Sequence, residues 1–171
     1  FTLTWIDGYD KGMGELLTLY EEGNRLGNYQ FASHCKHLHT QALLYHGAPL
    51  TEVYKDFREA REEMIQYNHH RTAKAVAKYQ QGVESLLGRT ADPLSLSGSV
   101  IEEQSYYREI QSKDDHLSLS GFHMVKGFLA MYEERPDLAL VQYRKLRPHL
   151  PTITSLHDNA PGFFLWGLAA F

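Results

Sequence analysis

A chain of 171 residues with 43% hydrophobic and 22% charged side chains has enough apolar material for one compact domain with a core, and too much for a disordered tail. Seventeen Lys and Arg against 21 Asp and Glu leave a net charge of −4, the wrong sign for neutralising a phosphate backbone, so nucleic acid is not an expected partner. The longest apolar stretch, near Phe163–Phe171, is about half of a membrane crossing, and no basic start leads into an apolar secretory segment.

Apolar residues recur at helical spacing almost throughout, and period-two alternation is nearly absent, which predicts an all-α fold of about eight helices. Leu16, Leu17, Leu19, Tyr20 and Leu26 mark a first helix closed by Gly27-Asn28, a pair suited to the left-handed residue of a helix end. A second runs from about Tyr29 to His46, with Phe31, Ala32, Cys35, Leu38, Ala42 and Tyr45 on one stripe, and stops at Gly47 before Pro49. Pro49 fits the first turn of a third, whose Leu50, Val53, Phe57, Ala60 and Met64 form a buried face opposite a solvated, charged one. Asn68 is expected to cap a fourth helix that carries Ala73, Val76, Ala77, Val83 and Leu87 and closes at Gly88.

Residues 89–99 form the one long loop, expected to be an ordinary flexible connection, with Ser95, Ser97 and Ser99 as hydroxyls open to phosphorylation. A shorter helix spans roughly Val100 to Gln111. Asp114 or Asp115 then caps a longer one to about Glu134, with Leu117, Gly121, Val125, Phe128 and Tyr132 aligned. Pro136 opens the next, through about Leu146, and Asn159 with Pro161 reads as the start of a last helix. The start at Phe1 and the apolar end without a stop signal read as a piece of something longer, its final helix poised to fold back or to pair with a second copy. The single Cys35 and the lack of an Asn-x-Ser/Thr acceptor point to a reducing, cytoplasmic setting.

Short turns between successive helices imply antiparallel hairpins. Gly127, Ala139, Tyr143 and Pro151 stand at successive separations of 12, 4 and 8, the spacing of the tetratricopeptide repeat. Gly and Ala let two helices approach, the aromatic fills the space beneath, and Pro ends the second helix. Gly27, Tyr29 and Ala32 repeat the turn and the small residue; Gly47, Pro49, Val53, Phe57 and Ala60 do so more loosely. Lys126 stands where the repeat has Leu, Glu134 where it has the turn glycine, and Val53 where it has Ala. The chain thus resembles a tetratricopeptide array. That resemblance implies hairpins stacked as a right-handed solenoid in a single domain over residues 1–171, with 89–99 as an internal loop.

The stretch Phe31-Ala-Ser-His-Cys-Lys-His-Leu-His, and then His46-Gly-Ala-Pro-Leu-Thr-Glu-Val-Tyr-Lys-Asp-Phe, is similar to the helical region of large hybrid signalling kinases of bacteria and fungi. There such a region lies between an AAA-type ATPase module and a GAF sensor with a histidine-kinase core. The run from Gln80 through Leu86-Leu87-Gly88, the loop, the Glu-rich helix and the ending Phe163-Phe164-Leu165 follow the same order. The resemblance implies a non-enzymatic scaffold that binds a protein partner or neighbouring domains, without a cofactor. No phosphate-binding glycine loop or phospho-acceptor histidine context accompanies it.

Ten histidines include His34, His37 and His39, clustered around Cys35. On a helix His34 and His37 can share a ligand, whereas Cys35 points about 100° from His34, so a metal site would need a third group such as His69 or His70. Cys35 with His39 has the four-residue spacing of a nucleophile and base, although a mid-helix cysteine lacks the setting that stabilises a thiolate. A small helical metalloprotein or His/Cys-dependent hydrolase is therefore the competing reading of the His34–His39 cluster. The adjacent carboxylates Glu62-Glu63, Glu102-Glu103 and Asp114-Asp115 point apart on a helix and are expected to act as caps and surface charge.

Overall fold

The structure, a computed structural model, describes residues 9–152, 164 and 167–170. Among these residues the chain is helical and contains no strand. Its elements are α1 (Tyr9–Arg25), α2 (Tyr29–His46), α3 (Leu50–Gln66), α4 (His70–Leu86), α5 (Glu103–Ser112), α6 (His116–Tyr132), α7 (Pro136–Leu146) and a 3-10 helix (Arg147–Thr152). Neighbours pack as the short turns require: α1 along α2, α2 against α3, α5 against α6, and α6 along α7. The predicted start at Asn159 lies outside the described residues, as do the side chains of Trp166 and Phe171.

Six helix ends share one device. Each has a residue in the left-handed region: Gly27, Gly47, Asn68, Gly88, Asp114 and Glu134. The next residue's N–H then reaches back five positions to a carbonyl in the helix's last turn: Asn28 to Gly23, Ala48 to Leu43, His69 to Met64, Arg89 to Glu84, Asp115 to Ile110 and Arg135 to Ala130, at 2.7–3.1 Å. This bond satisfies a carbonyl that the helix would otherwise leave open. The six residues recur at intervals of 20, 21, 20, 26 and 20, the longest holding the loop. Two helices therefore take about 41 residues, more than the 34 of a tetratricopeptide repeat.

Asn68 and Asp114 consequently end α3 and α5. The expectation that Asn68 caps α4 is corrected, because the reverse turn at this site needs a left-handed residue and Asn tolerates one. Asp115 is the cap of α6, its carboxylate accepting the Ser118 N–H at 3.1 Å. Glu134 has φ 56°, where a residue with a Cβ is strained by about 1–2 kcal/mol. Glu134→Gly is therefore expected to stabilise the chain by about 1 kcal/mol, read as a higher urea midpoint with an unchanged slope.

The chain divides into two compact units, Phe1–Val83 and Glu84–Phe171. In the first, the core is made by Ala32, Cys35, Leu38 and Ala42 of α2, Val53, Phe57, Ala60 and Met64 of α3, and Ala73, Val76 and Ala77 of α4, the stripes that helical spacing predicts. Phe31 departs from its stripe and is 44% exposed. Gly23 lets α1 approach α2, since a Cβ there would lie 3.0 Å from that of Ala32. The Tyr20 hydroxyl donates to the Glu63 carboxylate at 3.0–3.1 Å, and Tyr29 stacks on Tyr67 with centroids 4.2 Å apart.

In the second unit, Met124, Ala130, Ala139, Tyr143, Leu146 and Ala169 form a buried cluster, with Leu94, Met131, Leu138, Leu140 and Leu150 packed against it. Here the predicted α6 stripe is wrong at its ends: Leu117 and Tyr132 are exposed, while Leu119, Phe122, Met124, Leu129 and Ala130 are buried. The reason is that α6 is apolar around most of its circumference, so periodicity alone does not select a face. Gly127 faces the ring of Tyr143, where the repeat spacing pairs it with Ala139; a Cβ at 127 would stand 2.7 Å from Tyr143 Cζ and nearer still to Cε1.

Candidate functional site

The histidine segment of α2 is split by the helix that carries it. His34 is exposed, whereas Cys35, His37 and His39 are buried. The His37 ring sits in the first unit's core, 5.4 Å from that of Tyr79 and 6.3 Å from that of Phe57. His69, considered as a third ligand, brings its Nδ1 to 3.5 Å from Ser33 Oγ. Among the described residues no group of three or more His, Cys, Asp or Glu side chains is arranged to hold a metal ion. Burial pushes the Cys35 thiol up, opposite to the shift that makes a nucleophile. Burial, with Lys36 adding to it and Asp56 opposing, holds the His39 imidazole below its usual range and so neutral at pH 7.

A denser polar constellation lies in the second unit, around the loop. Lys126 projects from α6, which holds no other Lys, Arg, Asp or Glu, and donates to both Glu103 carboxylate oxygens at 2.8–2.9 Å and to the Leu94 carbonyl at 2.5 Å. Glu103 also accepts the Leu96 N–H at 2.5 Å, while its own N–H donates to Ser97 Oγ at 3.0 Å. Glu84 takes the Ser99 N–H at 3.1 Å and its hydroxyl at 2.5 Å, and the Ser85 hydroxyl donates to the Ser95 carbonyl at 3.0 Å. Leu96 is wholly buried. The expectation of an ordinary flexible connection is thus corrected: two carboxylates that flank the loop and one lysine beyond it tie its backbone down. Glu102 caps α5, accepting the N–H groups of Gln104 and Ser105 at 2.9 and 2.7 Å, and these bonds hold its carboxyl below the usual range.

No protein-family model, curated protein or solved structure matches this chain. Lys126, Glu84 and Glu103 escaped the sequence reading as a group, although a lone lysine in an apolar helix was a visible signal that a buried carboxylate had to meet it.

A third cluster, also missed, joins α6 to the 3-10 helix. His116 Nδ1 is 2.9 Å from His149 Nδ1, and His116 Nε2 is 3.4 Å from Asp114 Oδ2. The His149 ring lies parallel to that of the buried His123 at 6.3 Å, and His123 Nδ1 meets Gln142 Oε1 at 2.9 Å. Their separation of 33 residues hides the His116 and His149 pair from any local pattern.

Large apolar side chains stand open near several helix ends: Leu26 at 70% exposure, Tyr132 at 61% and Phe164 at 65%. Leu168 is half-exposed, while Ala169 packs into the core beside Tyr143. No helix among the described residues is long and apolar enough to cross a membrane.

Proposed function

We propose that the chain is a non-enzymatic helical-hairpin scaffold that binds a protein partner, or neighbouring domains of a multidomain sensor kinase, and relays a conformational signal between them. The observation that carries the reading is the exposure of Leu26 and Tyr132 beside tightly closed helix ends. Apolar side chains held on rigid hairpins present a surface that loses water on contact at little entropic cost. The resemblance of residues 31–39 and 46–57 to hybrid-kinase helical regions supports the relay part, and the close approach of α6 and α7 at Gly127 and Tyr143 supports the hairpin part. Phe164 and Leu168, four positions apart and both helical, offer a second copy of the chain a place to pair.

A photo-crosslinking side chain placed at Leu26, at Tyr132 and, as a control, at the exposed and charged Glu59 tests this in the intact parent polypeptide. The expected result is adducts from 26 and 132 to another domain or protein, with few from 59. Equal adduct yields from all three positions would overturn the scaffold reading, and light scattering of the isolated chain reports any self-pairing.

A further inference from the structure

We propose that His116 and His149 form a proton-controlled latch that holds the 3-10 helix against α6 near neutral pH and releases it on acidification. The latch is independent of the partner reading above.

The geometry allows one proton on the line between the rings. With Nδ1 atoms 2.9 Å apart and centroids 5.1 Å apart, the nitrogens occupy the facing edges of the two rings, an in-line N–H···N arrangement. Asp114 beside Nε2 of His116 favours a proton on that nitrogen. Neutral His116 then accepts at Nδ1, and His149 Nδ1–H donates. A first added proton is tolerated, because it can reside on the outer nitrogen of His149 with the shared bond intact and Asp114 near to balance it. A second cannot be. Both Nδ1 atoms would then carry hydrogens, and two imidazolium ions would face each other at hydrogen-bond distance.

The other groups facing the pair reinforce this sense. Beside His149 lies His123 of α6, which is buried, held to Gln142 of α7 and edged by Tyr107 of α5. Burial above all, with Lys145 of α7, His149 and Lys126 of α6 adding to it and the Gln142 hydrogen bond opposing, lowers the His123 imidazole, so the inner imidazole stays neutral. Burial first, and then His116, lower the His149 imidazole, with Asp114 opposing. A histidine whose folded value lies below its ordinary 6.5 binds fewer protons folded than free. The stabilisation is therefore complete above that value and lost as pH falls through and below it. Release would also free Leu150, which the 3-10 helix seats against the cluster around Tyr143.

The test is hydrogen exchange of the full chain, corrected for the intrinsic effect of pH, together with imidazole NMR titration. Protection over residues 147–150, relative to α6, should fall about tenfold or more between about pH 7.5 and about pH 5.5, since one linked proton changes an equilibrium tenfold per pH unit. His149 should titrate below the ordinary histidine range. His149→Gln should abolish the pH dependence, and His116→Gln, which leaves the burial of His149 in place, should reduce it. Equal protection at both pH values in the unaltered chain, a His149 imidazole that titrates at its ordinary value, or a drop that persists undiminished in His149→Gln would overturn the latch.

Discussion

Gly127→Leu is expected to cost about 3 kcal/mol or more, and Gly127→Ala about 1–2 kcal/mol even though alanine favours a helix interior over glycine by about 1 kcal/mol. The cause is the Tyr143 ring, which is fully buried and lies where the first side-chain carbon would have to go. A packed core gives the ring no vacant space to swing into. Urea unfolding of the single variants measures the cost. In a Tyr143→Leu background, which removes the ring at a cost of its own, the further change Gly127→Ala should be close to neutral. That non-additivity assigns the effect to this contact. If Gly127→Ala proves stabilising in the parent chain, the close approach of α6 and α7 is refuted.

The second large effect is expected at Lys126. Lys126→Met keeps most of the volume and the helix propensity, yet leaves Glu103 charged in a pocket where both partners are less than a quarter exposed, and strips the Leu94 carbonyl of its donor. Removing one member of such a pair costs more than the pair contributes, so a loss of about 2–4 kcal/mol is expected. Adding Glu103→Gln to Lys126→Met should recover a substantial part of it. Hydrogen exchange locates the damage: amides of residues 94–99 should lose protection before those of α6 and α7. Uniform loss across the second unit would instead mean that the lysine supports α6 itself.

The helices were readable because their signals are local. Pro136 opens α7 and Leu146 closes it as the spacing predicts, and Gly27, Gly47 and Gly88 sit at the predicted ends with positive φ. Asn68, Asp114 and Glu134 occupy the same conformation without advertising it. Their left-handed backbones are imposed by the closing hydrogen bond, which depends on where the chain goes next and not on the residue alone. The face of α3 was legible since its other side is charged, whereas α6, apolar nearly all round, gave periodicity nothing to choose between. The prominent histidine run of α2 drew attention by composition, yet the helix turns His34 and His37 to different surroundings. The polar groups that do meet, Lys126 with Glu103 and His116 with His149, are 23 and 33 residues apart and become neighbours only when helices pack.

The recurring closure of helix ends has a kinetic consequence. Each of the six bonds spans five residues, so every hairpin corner can form on the microsecond scale of local structure, before any distant group is met. The ionic seam around the loop requires α4, α5 and α6 to be in place first, because its bonds join residues up to 32 positions apart. Corners are therefore expected to precede the seam during folding. In the reverse direction the order is expected to invert, the loop between α4 and α5 opening before the corners, which hydrogen exchange of residues 94–99 against the corner amides would read.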